Sequence, residues 1–305
     1  MASVIYQQPY FIYLFIYHYA LTQHLKMVSL PQADATLAHA RSSSLESITS
    51  AHSMSEQWDV GLHQTRGSTE QGNINGMRHK TMTVDITNFT IATPLPISDT
   101  NPIALEIIGW RALIECPDVV SMQPDGSLQM TAPTLGASSK STKRTRCEWK
   151  EPGYWLFSSA TDHWNRQEMR VTKVNSLQKV VIAQIHVKDS ERPPVKVFWN
   201  KGKIVMGFRS SYLQDDPVNS TVLENVPLGA LFNISIHANS SGAVSVSANC
   251  NGVQSTSAIM RLDSTWDTKT LAFHGGVYNQ IDYSESTDPE DGSICVISDL
   301  SITHA

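Results

Sequence analysis

The chain has 305 residues, with 23 Lys and Arg against 28 Asp and Glu, and a formal charge of −5. That length is enough for one large domain and an extension. The acidic balance, with no basic run or known nucleic-acid motif, excludes nucleic acid as an expected partner, and any site for a polyanion must gather its cations locally.

The first 80 residues carry five Lys and Arg and five Asp and Glu, so the remainder holds the whole net charge. Pro9 to Leu21 is an apolar, aromatic run. It is too short for a comfortable membrane span, and no membrane association is expected. It is similar to the apolar part of a secretory signal, but no Lys or Arg precedes it and no clear small-residue cleavage site follows. Residues 27 to about 80 are rich in Ser, Gln, Thr and His without sustained periodicity, and read as disordered or weakly helical. Residues 1–80 are therefore expected to be an extension, with residues 81–305 as the domain. Met77, just before that domain, is an alternative start, and a chain beginning there is expected to fold and keep its activity.

From Thr81 onward the signals are β. Thr83–Ile86 leads into Asn88–Ile91, followed by Pro94 and Pro96. Ser98 to Ile114 is ambiguous and leaves room for a short helix. Asp125-Gly126 marks a tight turn between Val119–Met122 and Leu128–Met130. Gly136 to Lys143 reads as a Ser/Lys-rich loop. In Arg146–Glu151, strand alternation puts Arg146, Glu148 and Lys150 on one face and Cys147 and Trp149 on the other. Trp155–Thr161 reads as a loop, and Gln167–Val174 alternates.

Lys179 to Asp189 is crowded with β-branched residues and free of Gly and Pro, so it reads as a strand. Alternation gives Val180, Ile182, Gln184, His186 and Lys188 one face, and Val181, Ala183, Ile185 and Val187 the other. Gln184 and His186 side by side can hold and deprotonate a ligand; the alternative is a solvated face with an incidental His. Val195–Trp199 and Lys203–Phe208 flank a hairpin turn at Asn200-Lys201-Gly202. Phe232–His237 and Val244–Ala248 alternate around Ser241-Gly242. In Phe273–Gln280, His274, Gly276, Tyr278 and Gln280 share a face. Ile294–Ile302 closes the chain. Short, regularly spaced strands with almost no helical periodicity predict an all-β sandwich or jelly roll.

Cys116, Cys147, Cys250 and Cys295 form no CxxC pair, so no metal site is expected. They are either buried thiols or one or two disulfides of undetermined pairing. Sequons stand at Asn88, Asn219, Asn233 and Asn239.

Three of these strands together supply a cation, an amide, an imidazole and a phenol, a set that suits chemistry on an acidic sugar. They also resemble the three signature segments of the alginate lyases of polysaccharide lyase family 7. The family's Arg-Ser/Thr-Glu-Leu-Arg-Glu is matched at Arg146, Glu148 and Glu151. Its Gln-Ile/Val-His is matched fully by Gln184-Ile185-His186. Its Tyr-Phe-Lys-Ala-Gly-Val-Tyr-Asn-Gln is matched at Phe273 and from Gly276 through Gln280. The departures are Cys147, Trp149 and Lys150, then Ala272, His274 and Gly275; Lys150 and His274 stand where the family has Arg and Lys facing the substrate.

The resemblance implies a β-jelly roll, a concanavalin-like sandwich of two bent antiparallel sheets with the substrate groove on the concave sheet. It implies β-elimination at a 4-linked uronic acid, without cofactor or metal, by a monomer acting outside the cell on an acidic polysaccharide, most plainly alginate. Arg146, Gln184, His186 and Tyr278 are then the catalytic set. Arg146 and Gln184, helped by His186, neutralise the uronate carboxylate. Tyr278 is the acid, and also the base for same-side elimination; His186 is the base for opposite-side elimination, as in guluronate. Ile185 between Gln184 and His186 favours guluronate. Glu148, Lys150, Lys196, His274, Asn279 and Gln280 are the expected substrate contacts, with Glu148 an orienter of Arg146 or Lys150. Three other readings stand beside this one: a glucuronan lyase of the same fold, a jelly-roll hydrolase, and a non-catalytic carbohydrate-binding jelly roll. The hydrolase needs two opposed carboxylates, and Glu148 and Glu151 lie on opposite strand faces.

Overall fold

The computed structural model describes residues 83–305; the apolar run Pro9–Leu21, the Ser/Gln-rich stretch and Met77 lie outside the described residues. Sixteen strands are described. In chain order they are β1 (Thr90–Ser98), β2 (Asn101–Ile108), β3 (Val120–Met122), β4 (Leu128–Pro133), β5 (Arg146–Lys150), β6 (Asp162–Lys173), β7 (Lys179–Val187) and β8 (Val195–Asn200). There follow β9 (Lys203–Phe208), β10 (Val218–Leu223), β11 (Phe232–Asn239), β12 (Ala243–Cys250), β13 (Val253–Thr256), β14 (Met260–Arg261), β15 (Leu271–Asn279) and β16 (Gly292–His304). One short helix, α1 (Gly109–Glu115), follows β2.

The strands form two eight-strand antiparallel layers. The front sheet runs β10-β9-β8-β7-β15-β5-β1-β2, and the back sheet runs β13-β12-β11-β6-β16-β4-β3 with β14 paired to β12. Between them lies one core, built from alternate residues such as Ile91, Trp149, Ile185 and Phe273 in front and Met130, Met169, Phe232 and Ile297 behind. Burying each such side chain contributes about 1.5–3 kcal/mol. This is the jelly roll expected from the sequence. Both expected hairpins are present: Gly126 has φ +83°, and Lys201 and Gly202 have φ +50° and +77°, the left-handed pair a two-residue hairpin turn needs.

The structure corrects the sequence reading in several places. Residues 83–89 pair in no sheet, and the strand begins at Thr90 and runs through both prolines, with register shifts at Ala92/Pro96 and Pro96/Ser98 that accommodate them. The ambiguous stretch from Ser98 resolves into β2 and α1. β7 does not alternate throughout: its register shifts between Val181 and Ala183 against β8, and a matching shift falls against β15. Val180, Ile182 and Ala183 therefore all join the main core, whereas Val181 turns to the opposite face with Phe198, Val205 and Tyr278. The single face expected for Val180, Ile182, Gln184 and His186 is broken by this bulge. Gln184 and His186 keep their shared face beyond it. All four cysteines are buried free thiols.

Candidate active site

The front sheet carries a cleft of about 1130 Å³. Its floor comes from the middle strands. Lys196 on β8 pairs with Gln184 on β7, Gln184 with His274 on β15, and His274 with Lys150 on β5. Four residues along the strands, Tyr278 pairs with Arg146. One wall is the loop through Ser138–Arg144 with Asp282 and Tyr283; the other is Tyr154 with Asp189–Pro193. Arg144 Nε donates to Asp282 Oδ1 at 2.8 Å, tying the first wall together. Arg209, buried, donates to the carbonyls of Pro193, Gln214 and Asp215 and so anchors the second.

Two glycines let this floor form. A Cβ on Gly275 would come within 2.5 Å of the Trp149 ring, and one on Gly276 within 2.4 Å of the Cys147 carbonyl oxygen. Gly276 also has φ +124°, a conformation essentially reserved for glycine. These residues let β15 lie close over Trp149, and in sequence the Gly pair inside an apolar strand is the sign of such an approach.

Electrostatics concentrate at one corner. The cleft is lined by six cations, Lys140, Lys143, Arg144, Arg146, Lys150 and Lys196, against Glu106, Asp189, Glu191 and Asp282, so an acidic chain gathers positive charge here. The Arg146 guanidinium carbon lies 3.8 Å from the centre of the Tyr278 ring, and Lys196 Nζ lies 5.5 Å from it. Glu148 is buried beneath, accepting from Gln184 Nε2 at 2.7 Å and from Arg146 Nη1 at 3.3 Å. It orients the amide and the guanidinium at once. Lys150 is engaged by Glu106. Burial lowers the Lys196 ammonium to about 8, partly opposed by Glu148. Burial, then the Arg146 and Lys150 cations, lower the His186 imidazole to about 4, so it is neutral at ordinary pH. His186 and His274 stack, ring centres 4.6 Å apart and planes 10° from parallel.

The structure thus brings Arg146, Lys150, Gln184, His186, Lys196, His274 and Tyr278 to one cleft, with Glu148 just below. It does not bring Asn279 or Gln280 there. Asn279 is fully buried on the other side of β15; its amide donates to Ala132 O and Thr145 Oγ1, and its oxygen accepts from Asn175 and Ser293. Gln280 Nε2 turns back to the carbonyls of Tyr278 and Asn279. As expected substrate contacts, Asn279 is corrected to a structural position, and Gln280 does not line the cleft. Sequence reasoning missed Arg144 and Tyr154 as cleft residues, because loops of unknown path bring them in, and Glu106, which β2 carries in by pairing with β1. Among the described residues no group of three or more His, Cys, Asp or Glu is placed to hold a metal, and no helix is long and apolar enough to cross a membrane.

Comparison with known proteins gives a consistent result. A family model described as alginate lyase matches residues 84–304. Similar solved structures include an alginate lyase from Pseudomonas aeruginosa, 22% identical with a TM-score of 0.62, covering 73% of this chain and 100% of that one. An alginate lyase from Klebsiella pneumoniae is 18% identical with a TM-score of 0.61, covering 73% and 97%. A family 7 alginate lyase solved with a substrate designated GGMG is 20% identical with a TM-score of 0.59, covering 73% and 94%. No curated protein matches significantly.

Proposed function

The chain belongs to the alginate lyase family, whose model spans residues 84–304, and from that premise we propose that it cleaves alginate by β-elimination to give unsaturated oligosaccharides. The observation that carries this reading is the corner where Tyr278 lies under Arg146 and beside Lys196, with Gln184 and His186 on the adjoining strand.

The C5 proton of a uronate is weakly acidic while its carboxylate keeps full charge. Arg146 meets that carboxylate, with the second amide hydrogen of Gln184, the first being given to Glu148. In guluronate, where proton and leaving group lie on opposite sides, neutral His186 takes the C5 proton. The C4=C5 double bond forms, the C4–O4 bond breaks, and Tyr278 gives its proton to O4. Solvent then resets both groups. In mannuronate, where proton and leaving group lie on the same side, Tyr278 relays the C5 proton to O4, ending as it began. Arg146, over the face of the Tyr278 ring, and Lys196, 5.5 Å from its centre, are the cations placed beside that transfer. A polymeric substrate supports action outside the cell, and a cleft lined entirely by residues of one chain supports a monomer; culture fractionation and size-exclusion chromatography test these points.

Tyr278→Phe keeps the ring and removes the phenol. The expected result is a kcat lower by about 10²–10⁴ with KM little changed, followed by the ultraviolet absorbance of the unsaturated uronate. A folded variant with wild-type kcat would remove Tyr278 from the reaction and direct attention to Tyr283, which also lines the cleft.

A further inference from the structure

His274 is almost wholly buried on the cleft floor, and neither of its ring nitrogens has a hydrogen-bond partner. The Oε1 of Gln184, its register neighbour, is buried and unpartnered as well. An unmet buried polar atom costs about 1–3 kcal/mol. Such atoms alone do not define a site: both amide atoms of Asn165 and Gln167 on β6 are also unpartnered, but they do not line the cleft. What distinguishes His274 and Gln184 is that both residues line the cleft.

The imidazole is neutral. Burial first, then His186, Lys150 and Arg146, hold its pKa well below the ordinary value. Glu148 is engaged by Gln184 and Arg146, and Glu106 by Lys150, and no carboxylate figures among the groups that shift His274. A neutral imidazole offers one donor and one acceptor, and Gln184 Oε1 adds a second acceptor. An ionised carboxylate supplies acceptors only and would leave two of these three atoms unmet. A sugar hydroxyl supplies both a donor and an acceptor. Stacking on His186 fixes the plane in which the nitrogens present themselves.

We propose that His274 and Gln184 Oε1 form an uncharged subsite that reads a sugar hydroxyl, not a carboxylate, beside the reacting uronate, with His274 the specificity-determining residue. This rests on the lyase reading above. Three variants test it on alginate, at ionic strength high enough to screen general attraction for a polyanion. His274→Gln keeps a donor and an acceptor, His274→Lys supplies a cation, and His274→Leu fills the space with neither. The contact exists in the bound substrate and in the transition state, so its loss raises KM more than it lowers kcat. Losing one such contact costs about 5–150-fold in kcat/KM. The expected order is wild type, then Gln within a few-fold, then Lys and Leu at least about tenfold down. His274→Lys equal to or better than His274→Gln means a carboxylate is read there and overturns the proposal. So does His274→Leu at wild-type KM. A wild-type protein that gives no unsaturated product from alginate overturns the lyase reading itself, and the subsite with it.

Discussion

Two pairs of histidines stand in contact among the described residues, and their polar atoms are met in opposite ways. At one end of the sandwich His163 is fully buried and stacked on Trp155, ring centres 4.1 Å apart. Its Nε2 lies 3.1 Å from Phe157 O and its Nδ1 2.7 Å from His304 Nδ1. His304 Nε2 in turn lies 2.9 Å from Glu151 Oε2, whose other oxygen accepts from Trp155 Nε1 and Phe273 N–H. Every polar atom in that chain has a partner, and it joins β6, β15, β16 and the residue just after β5 across the two sheets. On the cleft floor, His186 and His274 also stack, yet His274 has no partner at all. The first pair uses hydrogen bonds to hold the fold. In the second, His274 leaves them open, which a fold tolerates only where something else supplies them. The difference separates a structural histidine from a working one more surely than burial does.

The most severe way to break the comparison is to remove one histidine from the cleft pair. His186→Ala is expected to lower kcat on guluronate-rich blocks by about 10²–10⁴, less on mannuronate-rich blocks, with circular dichroism unchanged. Equal losses on both block types would show that His186 is not the base for opposite-side elimination alone.

The comparison sharpens with pH. His186 becomes protonated only near pH 4, so the acid limb of kcat/KM is expected there and not near 6.5. A limb centred at 6–7 would contradict the neutral, buried imidazole. Stability should follow the same groups. His163, His186 and His274 all have folded pKa values below their unfolded ones. The unfolded chain therefore takes up protons first. Their contribution is fully present above about pH 6.5 and is lost as pH falls, for His186 down to about 4, on the order of 1–3 kcal/mol. Glu151 is raised by burial and acts in the opposite sense: its folded form gains protons first as pH drops toward the ordinary carboxylate range. Thermal melts from pH 8 to 4 measure the sum.

How much of this was legible in the sequence follows from the same physics. The hairpins at Asp125-Gly126 and Lys201-Gly202, and the alternation of Arg146–Lys150, depend on local rules and appeared as read. The bulge in β7 did not, because Val180, Val181 and Ile182 are equally apolar and nothing local says which one faces the cleft. β10 was invisible for the reverse reason: its first four residues are exposed, so no periodicity marks it. Asn279 read as a substrate contact because it lies beside Tyr278 in the motif, and only the back sheet reveals its four partners. Glu106 reaches the cleft through pairing of β2 with β1, across 44 residues from Lys150. Gly275 and Gly276 were visible, but their reason, the Trp149 ring and the Cys147 carbonyl, was not.

On the structural side, His304→Ala unpartners Glu151 Oε2 and His163 Nδ1. Each unmet buried atom costs about 1–3 kcal/mol, toward the lower end here because His304 is partly open to water. For a domain of this size each kcal/mol lowers Tm by about 2–4 °C. The folded protein should keep its kcat, since neither His304 nor His163 lines the cleft. A loss of kcat without a loss of Tm would mean the two histidine pairs are coupled.

The smallest expected effect is the most pointed. His274→Leu replaces a buried, unpartnered imidazole with an apolar side chain of similar volume. If the ring made hidden hydrogen bonds, this would cost about 1–3 kcal/mol, as at His304. Because neither nitrogen has a partner, the substitution forfeits no bond and relieves the desolvation of two polar atoms. What it loses is the stacking on His186, worth about 0.5–1.5 kcal/mol for an aromatic pair. The two terms oppose each other, so the Tm of the substrate-free protein should stay within a few degrees of wild type, or rise. With oligosaccharide bound, wild type should gain more in Tm than the variant, since only wild type finds its missing partners in the ligand. Differential scanning calorimetry with and without alginate oligosaccharide, on an inactive Tyr278→Phe background, measures both quantities. A large drop in Tm without ligand would place His274 with the structural histidines and collapse the distinction between the two pairs.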